Sequence, residues 1–311
     1  MKSSEYYWQN FELGKELEIA GGFIYDGLRN LHEMETVRYE SEIFSVLYSL
    51  SVGLERFLKV TVVLLEFDEN TDSTEFEKRL MTHNHSVLVD RIKKSHNLQF
   101  DKAHNELLSV LTKFYKSYRY DRYSIRSVND LSKEKKAFLK YLKKYLDIDI
   151  TENPLLEVVI NERCIREFVG KTVGKIVSDL YKVISDAARS KNIYTCEVRY
   201  FSKAYKLLYG NEYDFEVEDT VWKELLVFLV NTNQKSDWLD YIKSIKPLEL
   251  DAALIDEYLQ SFGSNVKKID VSEEILSLYG DVEKKDERIK MLSILGKNDV
   301  DLEWITHNRS D

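Results

Sequence analysis

Proline and glycine are scarce in this chain of 311 residues: it contains two prolines, Pro154 and Pro247, and 11 glycines. An all-β protein needs many more turn-forming residues, and a Rossmann-type fold needs glycine-rich turns between its strands and helices. Few helix-breaking residues, together with abundant Leu, Lys and Glu, favour helices throughout the chain. The sequence therefore predicts an all-α protein.

Cysteine is also scarce, since only Cys164 and Cys196 occur. Two cysteines at this spacing make neither a disulfide framework nor a zinc site. The N-terminus, Met1–Asn10, lacks the basic region and the apolar stretch of a signal peptide. The most apolar run, Ile43–Phe67, holds three charged residues near its middle, which argues against a membrane span. We therefore expect a soluble cytoplasmic protein with no metal and no other cofactor.

Apolar residues recur at steps of three and four in the N-terminal region and predict a helix over Phe11–Met34 and a longer one over Thr36–Phe67. Shorter helices follow, and the longest helix is expected over Pro154–Arg189, because proline is accepted in a first helical turn. We place a domain boundary near residue 150, with a helical bundle over 1–150 and an all-helical domain over 151–311. Helix pairs separated by glycine in the second domain are typical of a helical array, although no repeat of fixed period is present.

Charge is distributed unevenly along the chain, whose formal net charge is −9. Residues 86–145 carry fifteen Lys or Arg and six Asp or Glu, a net charge of +9, so the other 251 residues together carry −18. A basic segment within an acidic protein indicates a surface for a polyanion, and RNA is the partner that we expect. The alternative is a solvated face whose lysines pair with the acidic remainder of the chain or with a protein partner.

Basic and aromatic residues alternate in the second half of this segment. Arg and Tyr together grip phosphates and stack on unpaired bases. Further along, lysines repeat at steps of three and four and form one cationic stripe on the predicted helix Ser132–Leu146. The candidate nucleic-acid-binding residues are Lys113, Lys116, Arg119, Arg122, Tyr123, Arg126, Lys136, Lys140 and Lys143.

Three short motifs lie in order between Glu42 and Tyr123. A long helix carries Gly53–Lys59, the segment His85–Val89 opens a later helix, and Tyr118–Tyr123 follows the next one. This order resembles the HEPN superfamily, small helical bundles of prokaryotic toxins, defence proteins and nucleotidyltransferase partners. In many members the first helix carries Leu-Glu and a nearby Lys. The resemblance implies a HEPN-like bundle in the N-terminal half and an RNA-directed role in a bacterial antiviral-defence or toxin–antitoxin system.

Catalytic members of that superfamily are marked by an Arg followed a few residues later by a His. In them the cation stabilises phosphate charge and the imidazole transfers protons during metal-independent RNA cleavage. Two pairs match here, Arg79 with His85 as the first choice and Arg91 with His96 as the second. The resemblance thus implies a metal-independent endoribonuclease whose catalytic pair meets in a shared cleft, often within a homodimer.

A non-catalytic interpretation stays open beside this one. In the superfamily the Arg–His motif usually lies late in the bundle, and the helix predicted from Pro154 onward contains arginines but no histidine. The alternative is an adaptor or regulatory subunit that binds a protein partner.

Two neighbouring features have ordinary structural interpretations. Glu55 and Lys59 have the spacing of an i,i+4 ion pair on a helix. His83 and His85 flank Asn84 ahead of a predicted helix, where hydrogen bonding at the helix start explains both of them.

Overall fold

The computed structural model describes residues 7–68, 70–121, 123, 125, 132–148, 159–193, 198–200, 202–210, 213, 215–263 and 269–295. Every regular element within these ranges is helical, apart from one isolated antiparallel pairing of Thr36 with Ile160. The all-α prediction is confirmed. None of the described helices has the length and the apolar character needed to cross a bilayer. Contacts divide the chain into two compact units, Met1–Phe215 and Glu216–Asp311.

The first unit is built from helices of very different lengths. They are α1 (Leu13–Glu33), α2 (Glu40–Glu66), α3 (Ser73–Leu80), α4 (His85–Lys93), α5 (Lys102–Lys113), α6 (Lys133–Tyr145), α7 (Arg163–Ser190) and α8 (Lys203–Tyr205). A π-helical turn precedes α1 at Trp8–Glu12, and two others extend α5 at Phe114–Tyr118 and α8 at Lys206–Gly210. One further helical turn, Arg119–Asp121, follows α5 and its π-helical extension.

Helix α2 is the central element of the first unit. It packs against α1, α4, α6 and α7, and most of its side chains are buried. The helix predicted over Thr36–Phe67 is present, with its start at Glu40. Helix α1 crosses α2 closely at Gly53, where an added Cβ would lie 2.9 Å from the carbonyl oxygen of Ala20. Only glycine permits this approach, which allows the two helices to pack closely against each other in the core.

Helix α7 belongs to the first unit, because it packs against α1, α2 and α5. Just before it, the Asn161 side chain donates hydrogen bonds to the carbonyl oxygens of Leu31 (2.6 Å) and Met34 (2.8 Å) at the end of α1. The sequence placed a domain boundary near residue 150, whereas the compact unit extends to Phe215. The difference arises because Asn161 and Leu31 are 130 residues apart, and helical periodicity carries no information about such contacts. The predicted helix start at Pro154 lies outside the described residues.

The second unit also consists of helices in its described part. They are α9 (Glu216–Asn231), α10 (Asp237–Ser244), α11 (Ile255–Gly263), α12 (Ile269–Gly280) and α13 (Lys285–Leu292), with one 3₁₀ turn at Ala252–Leu254. Tyrosine hydroxyls connect these helices: Tyr258 donates to a Glu274 carboxylate oxygen at 2.6 Å, and Tyr241 donates to the Met291 carbonyl oxygen at 3.1 Å. The array-like arrangement expected for this half stays a prediction.

Candidate functional site

A pocket of about 490 Å³ opens in the first unit between the π-helical turn Trp8–Glu12, α1, α2, the segment between α3 and α4, and the extension of α5. Apolar side chains of α1 and α2 form part of its wall. Its polar and aromatic lining consists of Trp8, Glu16, Glu55, Arg56, Lys59, His83 and Tyr115. Titratable groups of both signs therefore converge on one apolar-walled cavity, which is the usual setting of a ligand or active site.

Glu55 is the buried centre of this group. It lies in the middle of α2, where its carboxylate accepts a hydrogen bond from Lys59 Nζ at 2.7 Å. The same carboxylate accepts from His83 Nδ1 at 3.0 Å. A buried carboxylate is tolerated when it is paired with charges and hydrogen-bonded, and both conditions hold here. The i,i+4 pair expected from the sequence is present, and its two residues form a three-residue cluster with His83.

His83 is the more accessible member of the cluster, with 51% of its side chain exposed. An ionised carboxylate only accepts hydrogen bonds, so Nδ1 carries the proton that it donates to Glu55. In the neutral imidazole Nε2 then carries the lone pair, and it makes no hydrogen bond within the described part of the chain. A histidine oriented by a carboxylate in this way is equipped to take up and return a proton.

Tyr115 closes the pocket beside His83, with the two ring centroids 4.8 Å apart. It belongs to the π-helical turn that extends α5, a distortion frequently found at functional sites. The guanidinium carbon of Arg119 lies 3.6 Å from the centre of the Tyr115 ring and 4.5 Å from that of Tyr120. This cation–π stack fixes the Tyr115 ring in place and sets a permanent positive charge next to the pocket.

A second ion pair stands at the wall of the pocket. Arg56 donates from Nη1 to Glu16 at 2.5 Å, and both side chains are partly exposed. Together with Lys59, Arg56 gives the pocket two cations, each held by a carboxylate. The oxygens of an entering phosphate group can replace one of these carboxylates as the partner of its cation, because guanidinium and ammonium groups bind both carboxylates and phosphates.

The first sequence-predicted catalytic pair, Arg79 with His85, is not brought together in one cleft. Arg79 is exposed at the end of α3, whereas His85 is fully buried. His85 Nε2 donates to the Ser51 carbonyl oxygen at 2.9 Å, and Nδ1 accepts from the Thr112 hydroxyl at 3.0 Å. Burial lowers the pKa of this imidazole and keeps it neutral. Both ring nitrogens are occupied, so His85 cross-links α2, α4 and α5, and its burial argues against the predicted catalytic role.

The second predicted pair, Arg91 with His96, is also separated by its contacts. Arg91 is 12% exposed and binds the Glu66 carboxylate with two nitrogens, at 2.9 Å and 2.6 Å. Its third nitrogen donates to the Arg79 carbonyl oxygen at 3.0 Å. His96 contacts the Ser95 hydroxyl at 3.1 Å, and no hydrogen bond joins it to Arg91 among the described residues. Arg91 therefore ties α4 to the end of α2 and to α3.

Most of the predicted nucleic-acid-binding residues that the structure describes form an exposed basic surface on neighbouring elements. Helix α6 packs against α5 and its extension, and it buries Phe138, Leu139 and Leu142 on one face. The other side of α6, the end of α5 and the extension of α5 expose Lys113, Lys116, Lys136, Lys140 and Lys143. Tyr123 is 88% exposed, and Arg119 is half-buried in the tyrosine stack. Arg122 and Arg126 lie outside the described residues.

No family model, curated protein or solved structure matches this chain. Among the described residues, no group of three or more His, Cys, Asp or Glu is arranged to hold a metal ion. The contacts described above are therefore the basis for the candidate site. The HEPN resemblance and the homodimer stay predictions.

Sequence reasoning missed His83 as a functional candidate. Its contact with Glu55 spans 28 residues, so no helical spacing reports it. The one sequence signal that pointed to this site was Glu55 itself, within the motif Gly53–Lys59 that carried the HEPN resemblance.

Proposed function

We propose that this protein is an RNA-directed, HEPN-like, metal-independent endoribonuclease whose reactive centre is His83 oriented by Glu55. The observation that carries the proposal is the carboxylate-bound imidazole in a pocket with two cations, beside an exposed basic surface. The RNA-directed role and its setting in a bacterial defence or toxin system extend the HEPN resemblance of the N-terminal half.

The reaction uses the 2′-hydroxyl of RNA as the nucleophile. His83 Nε2 takes the proton of that hydroxyl, and the 2′ oxygen attacks the adjacent phosphorus. The bond from phosphorus to the 5′ oxygen of the next nucleotide breaks, and the imidazolium returns the proton to this leaving oxygen. The products are a 2′,3′-cyclic phosphate and a free 5′-hydroxyl. Lys59 and Arg56 stabilise the additional negative charge that develops on the phosphate oxygens.

The test is incubation of the full chain with mixed cellular RNA in the presence of EDTA, followed by analysis of fragments and their ends. We expect cleavage that leaves cyclic phosphates, and a loss of about 10²- to 10⁴-fold in rate with His83→Ala. His96→Ala is the matched control, since His96 is a partly exposed histidine that does not line the pocket. Cleavage that survives in His83→Ala at the wild-type rate would contradict this assignment.

A non-catalytic adaptor is the second candidate, and one feature of the second unit favours it. Helix α9 has no buried side chain in the described structure, although most of its residues are apolar. Its exposed apolar residues are Val217, Val221, Leu225, Leu226, Val227, Phe228 and Val230. An exposed apolar helix of this kind is typical of a protein-binding surface. A protein that cleaves no RNA under any condition tested, and that loses a binding partner with Val221→Asp, would support the adaptor.

A further inference from the structure

We propose that the exposed ring of Tyr48, which adjoins Tyr115 and the reactive centre, is a base seat: it stacks on one unpaired nucleobase, so that the substrate is single-stranded RNA. This inference rests on the proposed function and assigns Tyr48 as the residue that selects unpaired substrate. Tyr48 does not line the pocket itself, but its ring stacks with that of Tyr115, which does.

A row of aromatic rings that begins in the hydrophobic core holds the Tyr48 ring of the base seat in place. Phe114 is fully buried, and its ring meets that of Phe44 edge-on at 5.1 Å. Phe44 in turn lies parallel to Tyr48, with ring centroids 6.1 Å apart and an interplanar angle of 8°. The Tyr48 ring therefore has a defined orientation before any ligand arrives, which lowers the entropic penalty of binding.

The same row continues from Tyr48 to the reactive centre. Tyr48 and Tyr115 stack at 6.3 Å with an interplanar angle of 29°, and Tyr115 contacts His83 at 4.8 Å. Tyr48 lies seven residues before Glu55 on α2, which places both on one face of the helix, about 10 Å apart along its axis. A base stacked at Tyr48 thus brings its neighbouring phosphate toward His83.

Exposure and charge identify the ligand as a nucleic acid strand. Tyr48 is 37% exposed, so the aromatic row is accessible from solvent. Lys113 and Lys116 are exposed on the turns around Tyr115, and Arg119 stacks on its ring. Aromatic rings bordered by cations bind single strands through base stacking and phosphate contacts. Bases within a duplex are already stacked and paired, and they cannot enter such a seat.

Binding is measured by fluorescence anisotropy with the full chain and a labelled 2′-O-methyl oligoribonucleotide, alone or annealed to its complement. The 2′-O-methyl group removes the nucleophile of the proposed reaction, so binding is observed without cleavage. We expect the single strand to bind more tightly than the duplex. Tyr48→Ala should weaken single-strand binding about 5- to 150-fold, the effect of removing one stacking ring. Tyr48→Phe should bind like the wild type, because the ring is retained.

Tyr209→Ala is the matched control. Tyr209 is another exposed tyrosine of the first unit that stacks on a neighbour, Tyr205, at 4.8 Å, and it does not line the pocket. It should leave binding unchanged, and thermal unfolding confirms that each variant is folded. Equal affinity of wild type and Tyr48→Ala, or of single strand and duplex, would overturn the base seat. Single-strand binding that depends on Tyr48 in a protein that cleaves no RNA would keep the seat and reject the nuclease.

Discussion

His83 and His85 are separated by one residue, yet the regions around them differ in almost every respect. Their partners on α2 are Glu55 and Ser51, four residues apart and therefore on successive turns of one helix face. His85 is fully buried, and its partner is the neutral carbonyl oxygen of Ser51. His83 is half exposed, and its partner is the Glu55 carboxylate, which lines a pocket.

The difference teaches that the partner and the access of water decide what a histidine does. A neutral acceptor in a dry environment fixes an uncharged imidazole, which then serves as a cross-link between helices. A carboxylate at an open pocket orients the ring for proton transfer. The same residue type thus supports packing at one turn of α2 and proton transfer at the next.

The largest expected effect comes from removing the charge at Glu55. Glu55→Gln keeps the shape of the side chain but removes the anion that orients His83. We expect the rate of RNA cleavage to fall about 10²-fold, within the range of a general acid–base contribution. The measurement is the single-turnover cleavage rate at saturating protein.

Glu16→Gln provides the control for this prediction. Glu16 is a second carboxylate of the same pocket, but it pairs with Arg56 and makes no hydrogen bond to His83 in the described structure. A loss equal to that of Glu55→Gln would show that the pocket needs its overall charge rather than an oriented imidazole.

The next effect concerns stability at the buried histidine. His85→Ala leaves a cavity and removes hydrogen-bond partners from the Ser51 carbonyl and the Thr112 hydroxyl. We expect the free energy of unfolding in urea to fall by about 2–4 kcal/mol. Ser51→Ala is the control, because it keeps the backbone carbonyl that His85 binds, and it should lose about 1 kcal/mol or less. A change within about 0.5 kcal/mol for His85→Ala would refute the cross-link.

The smallest effect is a pH dependence of stability that arises from the buried histidine, His85. Burial lowers the pKa of His85 below its ordinary value of 6.5. Just below that pH, His85 therefore binds a proton in the unfolded chain but stays neutral in the folded chain. The contribution of His85 to stability is therefore present above pH 6.5 and is lost as the pH falls through its folded-state pKa. The wild type should lose up to about 1.4 kcal/mol per pH unit from this group.

The measurement for this prediction is urea unfolding at a series of pH values from neutral to mildly acidic. His85→Gln should show a shallower slope than the wild type over that window, since it lacks the group that titrates. Identical slopes for the wild type and His85→Gln would show that another group governs the dependence.

Much of the fold could be predicted from the sequence because helices leave a local periodic signal. The apolar spacing identified α1 and α2 within a few residues of their ends, and the lysine spacing identified the exposed face of α6. The contact of Glu55 with Lys59 was predictable for the same reason, since both lie on one helix. In each case the interacting residues are at most a few turns apart in the chain.

The candidate site escaped this reasoning because its partners are distant in sequence. An Arg–His spacing selected His85, but spacing does not report that the first residue of α4 faces the core. His83 was interpreted through its neighbour Asn84, which does cap α4 by accepting from the Val87 amide. The extent of the first unit was missed similarly, because Asn161 binds the end of α1 across 130 residues.

The sequence by itself determined the helical class, the main amphipathic helices and the separation of basic from acidic regions. These properties follow from residue type and from a period of 3.6 residues, which are local. Only the tertiary structure decided which of the two neighbouring histidines is buried, which carboxylate meets the other one, and which aromatic rings stand beside it. Those choices depend on how α2, α4 and α5 pack together, because packing sets both the partner and the solvent exposure of each side chain.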